Sequence, residues 1–144
     1  MQAVPKSLLI SIHPRFADLI LKGEKRIEFR RSWAKCPVTR LVIYATSPVM
    51  RIVAVTPVTE VLHQSVNKLW EQAKIHGGGL TRRELRDYFN GSPMGYGVCL
   101  GEVRKFERPV APSVLFERFH APQSFRYLTE LEAETLDHEL AGGI

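Results

Sequence analysis

The sequence predicts an α+β fold, a curved sheet or small β-barrel with helices packed around it. Apolar runs of strand character recur at residues 8–12, Leu41 to Ala45, Arg51 to Leu62 and Met94 to Phe106. Helical patterns are inserted between them without the regular alternation that a doubly wound parallel sheet needs. With 144 residues, 44% of them hydrophobic and 24% charged, the chain is one domain's worth and can bury a single core. We read residues 1–144 as that one domain, with a core of about 7–128 and an acidic terminal helix of about 129–141.

Each element follows from local chemistry. Residues 8–12 (Leu-Leu-Ile-Ser-Ile) read as a buried strand. Pro14 suits the first position of a helix, where its missing N–H costs nothing. Phe16, Ala17, Leu19, Ile20 and Leu21 give that helix an apolar side, and Gly23 ends it. Residues 25–31 read as a strand. A second strand, Leu41 to Ala45, stops at Thr46-Ser47-Pro48, and Pro57 within Arg51 to Leu62 argues for an edge or a bulge there. Leu69, Trp70 and Ala73 mark a helix from Val66 to Ile75. Gly77-Gly78-Gly79, read as a flexible link, precedes the capping box Thr81-Arg82-Arg83-Glu84 and a helix carrying Leu85, Tyr88 and Phe89. Met94 to Phe106 reads as one strand, bulky on the Tyr96, Val98 and Leu100 side and nearly bare on the Gly95 and Gly97 side. Bare glycines in a strand mark close approach of a backbone or a ligand. A short helix is predicted over Ser113 to Phe119, a turn at Pro122, and a terminal helix at the capping box Thr129-Glu130-Leu131-Glu132 that fades at Gly142-Gly143.

Charge narrows the function. The net charge is +5, but all 20 lysines and arginines lie in residues 1–128 with only 10 of the 15 acidic residues. That body is near +10 and the tail is acidic. A body so basic favours polyanionic partners, nucleic acid first. No apolar run approaches the roughly 18 residues of a spanning helix, and the run after Lys6 is too short for a secretory signal. Cys36 and Cys99 sit in no metal-ligand spacing and read as free thiols, so a cytoplasmic setting is expected.

The densest charge cluster is Lys22, Lys25, Arg26, Arg30, Arg31, Lys35 and Arg40, with Glu24 and Glu28 among them. In a strand, residues two apart share a face. Arg26, Glu28 and Arg30 then point one way, and Ile27 and Phe29 point into a core. A carboxylate flanked by two guanidinium groups is oriented by them, and Lys25, at a turn, is free to swing to either side. Such a set suits a nucleobase or nucleotide, with the carboxylate accepting base N–H groups and the cations taking phosphate. A self-satisfied ion-pair network would show the same residues.

Leu9-Ile10-Ser11-Ile12-His13-Pro14 followed by Gly23-Glu24-Lys25-Arg26-Ile27-Glu28-Phe29-Arg30 resembles the signature of the ASCH domain: an apolar strand, a short helix, then G-x-K-x-x-E-x-R. The later order is also similar, through Tyr44-Ala45-Thr46-Ser47-Pro48, the strand from Ile52, the glycine-spaced strand near 95–103 and Pro122-Gln123-Ser124-Phe125-Arg126-Tyr127, so that the resemblance covers roughly residues 7–128. It implies a PUA-like β-barrel with external helices, binding RNA or other nucleic acid in a basic cleft lined by the G-x-K-x-x-E-x-R residues. One branch of the family hydrolyses the acetyl amide of N4-acetylcytidine, and another is ribonuclease-like. The amidohydrolase branch has Thr where this chain has Glu28, a poor nucleophile for amide hydrolysis but a competent general base on water.

The principal expectation is therefore binding of RNA or a modified nucleobase, and the alternative is a metal-independent hydrolase using Lys25 and Glu28, with Glu60 in a further acidic role. Phe125, Arg126 and Tyr127 either stack an unpaired base or anchor a loop on the core. Ser11 and His13 share a strand face and can reach a cleft, though a histidine at a helix start is commonly structural. Thr46 and Ser47 either donate to a ligand or close a turn. The histidines form no ligand spacing and the glycine triplet lacks the Gly-Lys-Ser/Thr of a phosphate loop, so neither metal nor cofactor is expected.

Overall fold

Leu8, Leu9, Ile10 and Ile12, all buried, place the first apolar run in the middle of a sheet rather than at its rim. The computed structural model describes residues 6–142; the start of the N-terminal segment and Gly143 lie outside them. In chain order the elements are β1 (Ser7–Ile12), α1 (Pro14–Leu21), β2 (Ile27–Arg30), β3 (Arg40–Ala45), β4 (Arg51–Ser65), α2 (Val66–His76), α3 (Arg82–Phe89), β5 (Met94–Leu100), β6 (Arg104–Val110), β7 (Phe125–Tyr127) and α4 (Glu130–Leu140). The α+β class holds. The strands form one curved sheet in the order β2-β5-β4-β3-β1-β7, with β6 also paired to β4. It does not close, so the barrel is only approximate. β1 and β3 run parallel; the other pairs are antiparallel.

The long strand β4 organises the sheet. Residues up to Pro57 pair with β3, and Val58 to Ser65 pair with β5. The register slips between Val58 and Glu60, so the proline stands beside a bulge that bends the strand. Sequence periodicity predicts one strand over Met94 to Phe106. The chain instead forms β5 and β6, separated by Gly101 to Val103, because each pairs with a different half of the bent β4. The Gly101 N–H donates to the Pro57 carbonyl at 2.9 Å and fixes the turn.

Alternation along β1 and β3 builds a core on each face. Leu8, Ile10, Leu41 and Ile43 pack with Ala17 and Ile20 of α1. Leu9, Val42 and Tyr44 face the other way, toward Phe106, Phe116 and Leu136 of α4. The predicted helix over 113–119 shrinks to a single 3-10 turn, Pro112–Val114. Phe116 is buried and Phe119 packs on it at 5.2 Å and on Tyr44 at 5.0 Å, which anchors this stretch to the second core. Both capping boxes form, at Thr81–Glu84 and at Thr129–Glu132. Arg40 and Arg126 hold the acidic α4 through Asp137 at 2.6 Å and Glu132 at 3.6 Å.

The bare face of β5 receives protein, not ligand. α2, α3 and β2 supply Leu69, Ala73, Leu85, Phe89, Ile27 and Phe29 to a third core. Gly95 lies directly beneath the Phe89 ring, and a methyl group there would overlap that ring. Gly95→Ala is therefore expected to cost about 1–3 kcal/mol of stability through overpacking, read as a lower urea midpoint with unchanged slope; a loss below about 0.5 kcal/mol counts against this packing.

Candidate functional site

Gly23, with φ +75°, turns the chain out of α1 and sends the next residue back toward the sheet. The Lys25 side chain does not swing freely, as its place in a turn suggests, but runs inward and is 2% exposed. Its Nζ donates to the Gly78 carbonyl at 2.5 Å and lies 3.5 Å from Glu28 Oε1. The rings of Phe16 and Phe29 stand on its flanks, each 5.3 Å from Nζ. Burial pushes this amine below its ordinary value; the Glu28 carboxylate opposes that shift, and Arg30 and Arg15 add to it.

Gly77-Gly78-Gly79 is not a slack link. The Gly77 carbonyl accepts from the Arg26 N–H at 2.9 Å. A side chain at Gly77 would collide with the Glu24 carbonyl, and one at Gly79 would press on Leu19 and Lys25. The three glycines let the α2–α3 connection close over the lysine.

Glu28 is held on both sides, though not by the predicted pair. Arg26 precedes β2, is exposed, and lines a separate cavity of about 480 Å³ with Lys22 and Glu102. Because the strand begins only at Ile27, the two-residue alternation does not extend back to Arg26. Arg30 instead grips Glu28 Oε2 through Nε at 3.1 Å and Nη2 at 2.9 Å. The same guanidinium donates to the Ser11 carbonyl at 2.8 Å and reaches the Ser124 carbonyl at 3.5 Å. It thereby ties β2 to β1 and to the bend that leads into β7.

These groups open onto a cavity of about 470 Å³ between β1, α1, β2 and α3, within the range of small-molecule sites. Ser11, His13, Lys25, Glu28 and Arg30 line it, with Phe16, Leu80, Glu84, Asp87 and Tyr88. Ser11 Oγ is committed to the Pro122 carbonyl at 2.7 Å, and His13 Nδ1 caps α1 by accepting from Arg15 N–H. The lining carries both signs of charge; the positive excess lies outside it, at exposed Arg31, Arg82, Arg83 and Arg86. Arg31 covers the Tyr88 ring at 4.6 Å.

The α3 wall is the part that sequence reasoning missed. Glu84 reads as a cap residue and Tyr88 as an apolar anchor, and both do more. Glu84 completes its capping box and also takes a two-pronged grip from Arg15 at 2.6 and 3.1 Å, bridging α1 to α3 at the cavity mouth. The Arg15 hydrogen bond, then the Thr81 N–H, hold the Glu84 carboxyl down at about 2. Other expected site residues lie elsewhere. Glu60 is exposed beside the β4 bulge, and Thr46 and Ser47 form the β3–β4 turn. Phe125 packs on Trp33 at 5.8 Å, the Tyr127 hydroxyl accepts from Cys36 N–H, and Arg126 lies over Phe116 at 4.1 Å, so these three form no common wall. Among the described residues no group of three or more His, Cys, Asp or Glu is gathered to hold a metal ion, and no helix is long and apolar enough to cross a membrane.

Two outcomes follow from this geometry. Arg30→Ala removes one partner of a buried carboxylate and is expected to cost about 3 kcal/mol in urea unfolding; Arg30→Lys recovers only part, since an ammonium lacks the fork. Glu84 has a depressed carboxyl value, so its stabilisation is complete above the ordinary glutamate range and fades as pH falls from about 4.5 through about 2. Melting temperatures of the wild type and Glu84→Gln are thus expected to differ at pH 6 and converge near pH 2; a gap that does not change with pH would refute the assignment.

The ASCH domain family matches residues 10–110. An "ASCH domain-containing ribonuclease" of Zymomonas mobilis is 31% identical over 138 residues, covering 91% of this chain and 90% of that protein. The crystal structure of ASCH from Zymomonas mobilis superposes with a TM-score of 0.84 at 31% identity, covering 92% of this chain and 94% of that one. The N-terminal domain of Staphylothermus marinus McrB shares the fold alone, with a TM-score of 0.59 at 12% identity over 95% of this chain and 97% of that one. The motif from Gly23 to Arg30, the open curved sheet and these matches agree: the chain belongs to the ASCH domain family.

Proposed function

We propose that this protein binds RNA and seats one unpaired base in the cavity between α1, β2 and α3. The observation that carries the reading is the division of labour on Glu28. Its Oε2 is taken by Arg30, while the polar partner of Oε1 among the described residues is Lys25, at 3.5 Å, on the cavity wall. A carboxylate oxygen so placed accepts an N–H from a base edge, and Phe16 and Tyr88 line the cavity beside it. The exposed arginines of α3, together with Arg31, supply phosphate contacts. The Zymomonas relative named as a ribonuclease supports RNA as the polymer. A cytosolic setting belongs to the same reading and suits the two free thiols.

A second reading is favoured by one observation, the buried amine of Lys25 lowered in basicity next to a carboxylate. Such a pair can take and return a proton without a metal, as cleavage of RNA or of an N4-acylated cytidine requires. Incubation with short RNAs and N4-acylated cytidines in the presence of a chelator separates the readings. Product that disappears in a Lys25→Ala variant whose urea unfolding shows it still folded establishes hydrolysis, whereas binding without product leaves a recognition module.

For binding, the affinity of single-stranded hexanucleotides is expected to fall with salt, with a log–log slope of about −0.7 for each phosphate contacted. Glu28→Gln exchanges an acceptor for a group that also donates, so the preference among homopolymers should shift by roughly 10-fold or more while the slope stays the same. An affinity indifferent to salt would sink the proposal.

A further inference from the structure

An aromatic pair away from the cavity has no role in the core. On β5, Tyr96 alternates with Gly95 and Gly97, whose side of the strand is filled by Phe89, Ile27 and Leu69. Tyr96 faces the other way. It stands opposite Arg30 on β2 and opposite His63 on β4, and directly opposed residues share a face. Arg30, Tyr96 and His63 therefore form one row across three strands. The His63 and Tyr96 rings are nearly parallel, 5° apart with centroids 4.2 Å from each other. His63 is exposed and Tyr96 half-buried. Val61 and Met94, on the same face, are 39% and 41% exposed.

We propose that this pair is a second base-stacking station, on which a nucleotide near the one held in the cavity lays its base against the open face of His63. The inference rests on the RNA-binding reading and adds the path of the strand. Continuity with the cavity supports it. Arg30 lines the cavity and also begins the row, and with strands about 4.8 Å apart the backbone of His63 lies about 10 Å from that of Arg30. Nearby nucleotides of one strand reach both places. β3 leaves β4 after Pro57, so the stretch that carries His63 has no β3 beside it. An aromatic surface of this kind, exposed on a sheet, takes any base by its π-face. A pair serving only to clamp β4 to β5 predicts something else, lower stability without lower affinity.

The test compares the wild type, His63→Ala and His63→Phe, using a fluorescent RNA hexanucleotide and a mononucleotide. Stacking of one base sets the expected loss: His63→Ala should weaken the hexanucleotide by roughly 5- to 100-fold and leave the mononucleotide unchanged. His63→Phe, which keeps a ring, should restore most of the affinity. Tyr96→Leu offers a second variant, expected to weaken the hexanucleotide alone. Full hexanucleotide affinity in His63→Ala overturns the station and leaves the cavity reading standing. Failure of every form to bind either ligand overturns the RNA reading and this inference with it.

Discussion

The site depends on burying one ammonium group. Taking a charge out of water costs several kcal/mol unless it is paired and hydrogen-bonded, and Lys25 meets that condition because a distant piece of chain and a near neighbour converge on it. The Gly78 carbonyl comes from 53 residues away, and the Glu28 carboxylate from the i,i+3 position, at the start of β2. The other features follow from this demand. The α2–α3 connection opens on three glycines because side chains at Gly77 and Gly79 would strike Glu24, Leu19 and Lys25 itself. Phe16 and Phe29 turn ring faces toward the amine. Glu28 then needs a second cation, and Arg30 supplies it while bracing β1.

The same arrangement leaves something over for a ligand. An ammonium has three donors; one is spent on Gly78 and one points at Glu28. A carboxylate accepts several bonds, and only one of its oxygens is occupied by the guanidinium. The residues that hold the fold together here also present spare donors and acceptors to the cavity. Under the proposed function these motif residues are structural and functional at once, and a variant at Lys25, Glu28 or Arg30 has to be judged on folding before it is judged on activity.

Local chemistry was readable from the sequence. Pro14 and Gly23 bound α1, and the two capping boxes start α3 and α4, because each is settled within a few residues. The shared face of Glu28 and Arg30 came from strand periodicity in the same way. What stayed hidden required long-range knowledge. Arg26 looked like a third member of that face, yet its N–H is drawn off to Gly77 and the strand starts one residue later. Glu84 and Arg15 are 69 positions apart, and nothing local shows that α3 closes the cavity. The break at Gly101 was equally invisible, because it answers to a bend in β4 some forty residues earlier.

The placement of α4 gives the molecule an electrical orientation. This helix carries Glu130, Glu132, Glu134, Asp137 and Glu139 and packs on the face of β1 and β3 opposite α1, while the lysines and arginines belong to the rest of the body. Under the RNA-binding reading, the field of a polyanion pulls on the exposed arginines of α3, which Arg15 ties to α1, and pushes on this acidic helix. That reading has the protein arrive with the helix trailing, so fewer collisions are wasted on the wrong side.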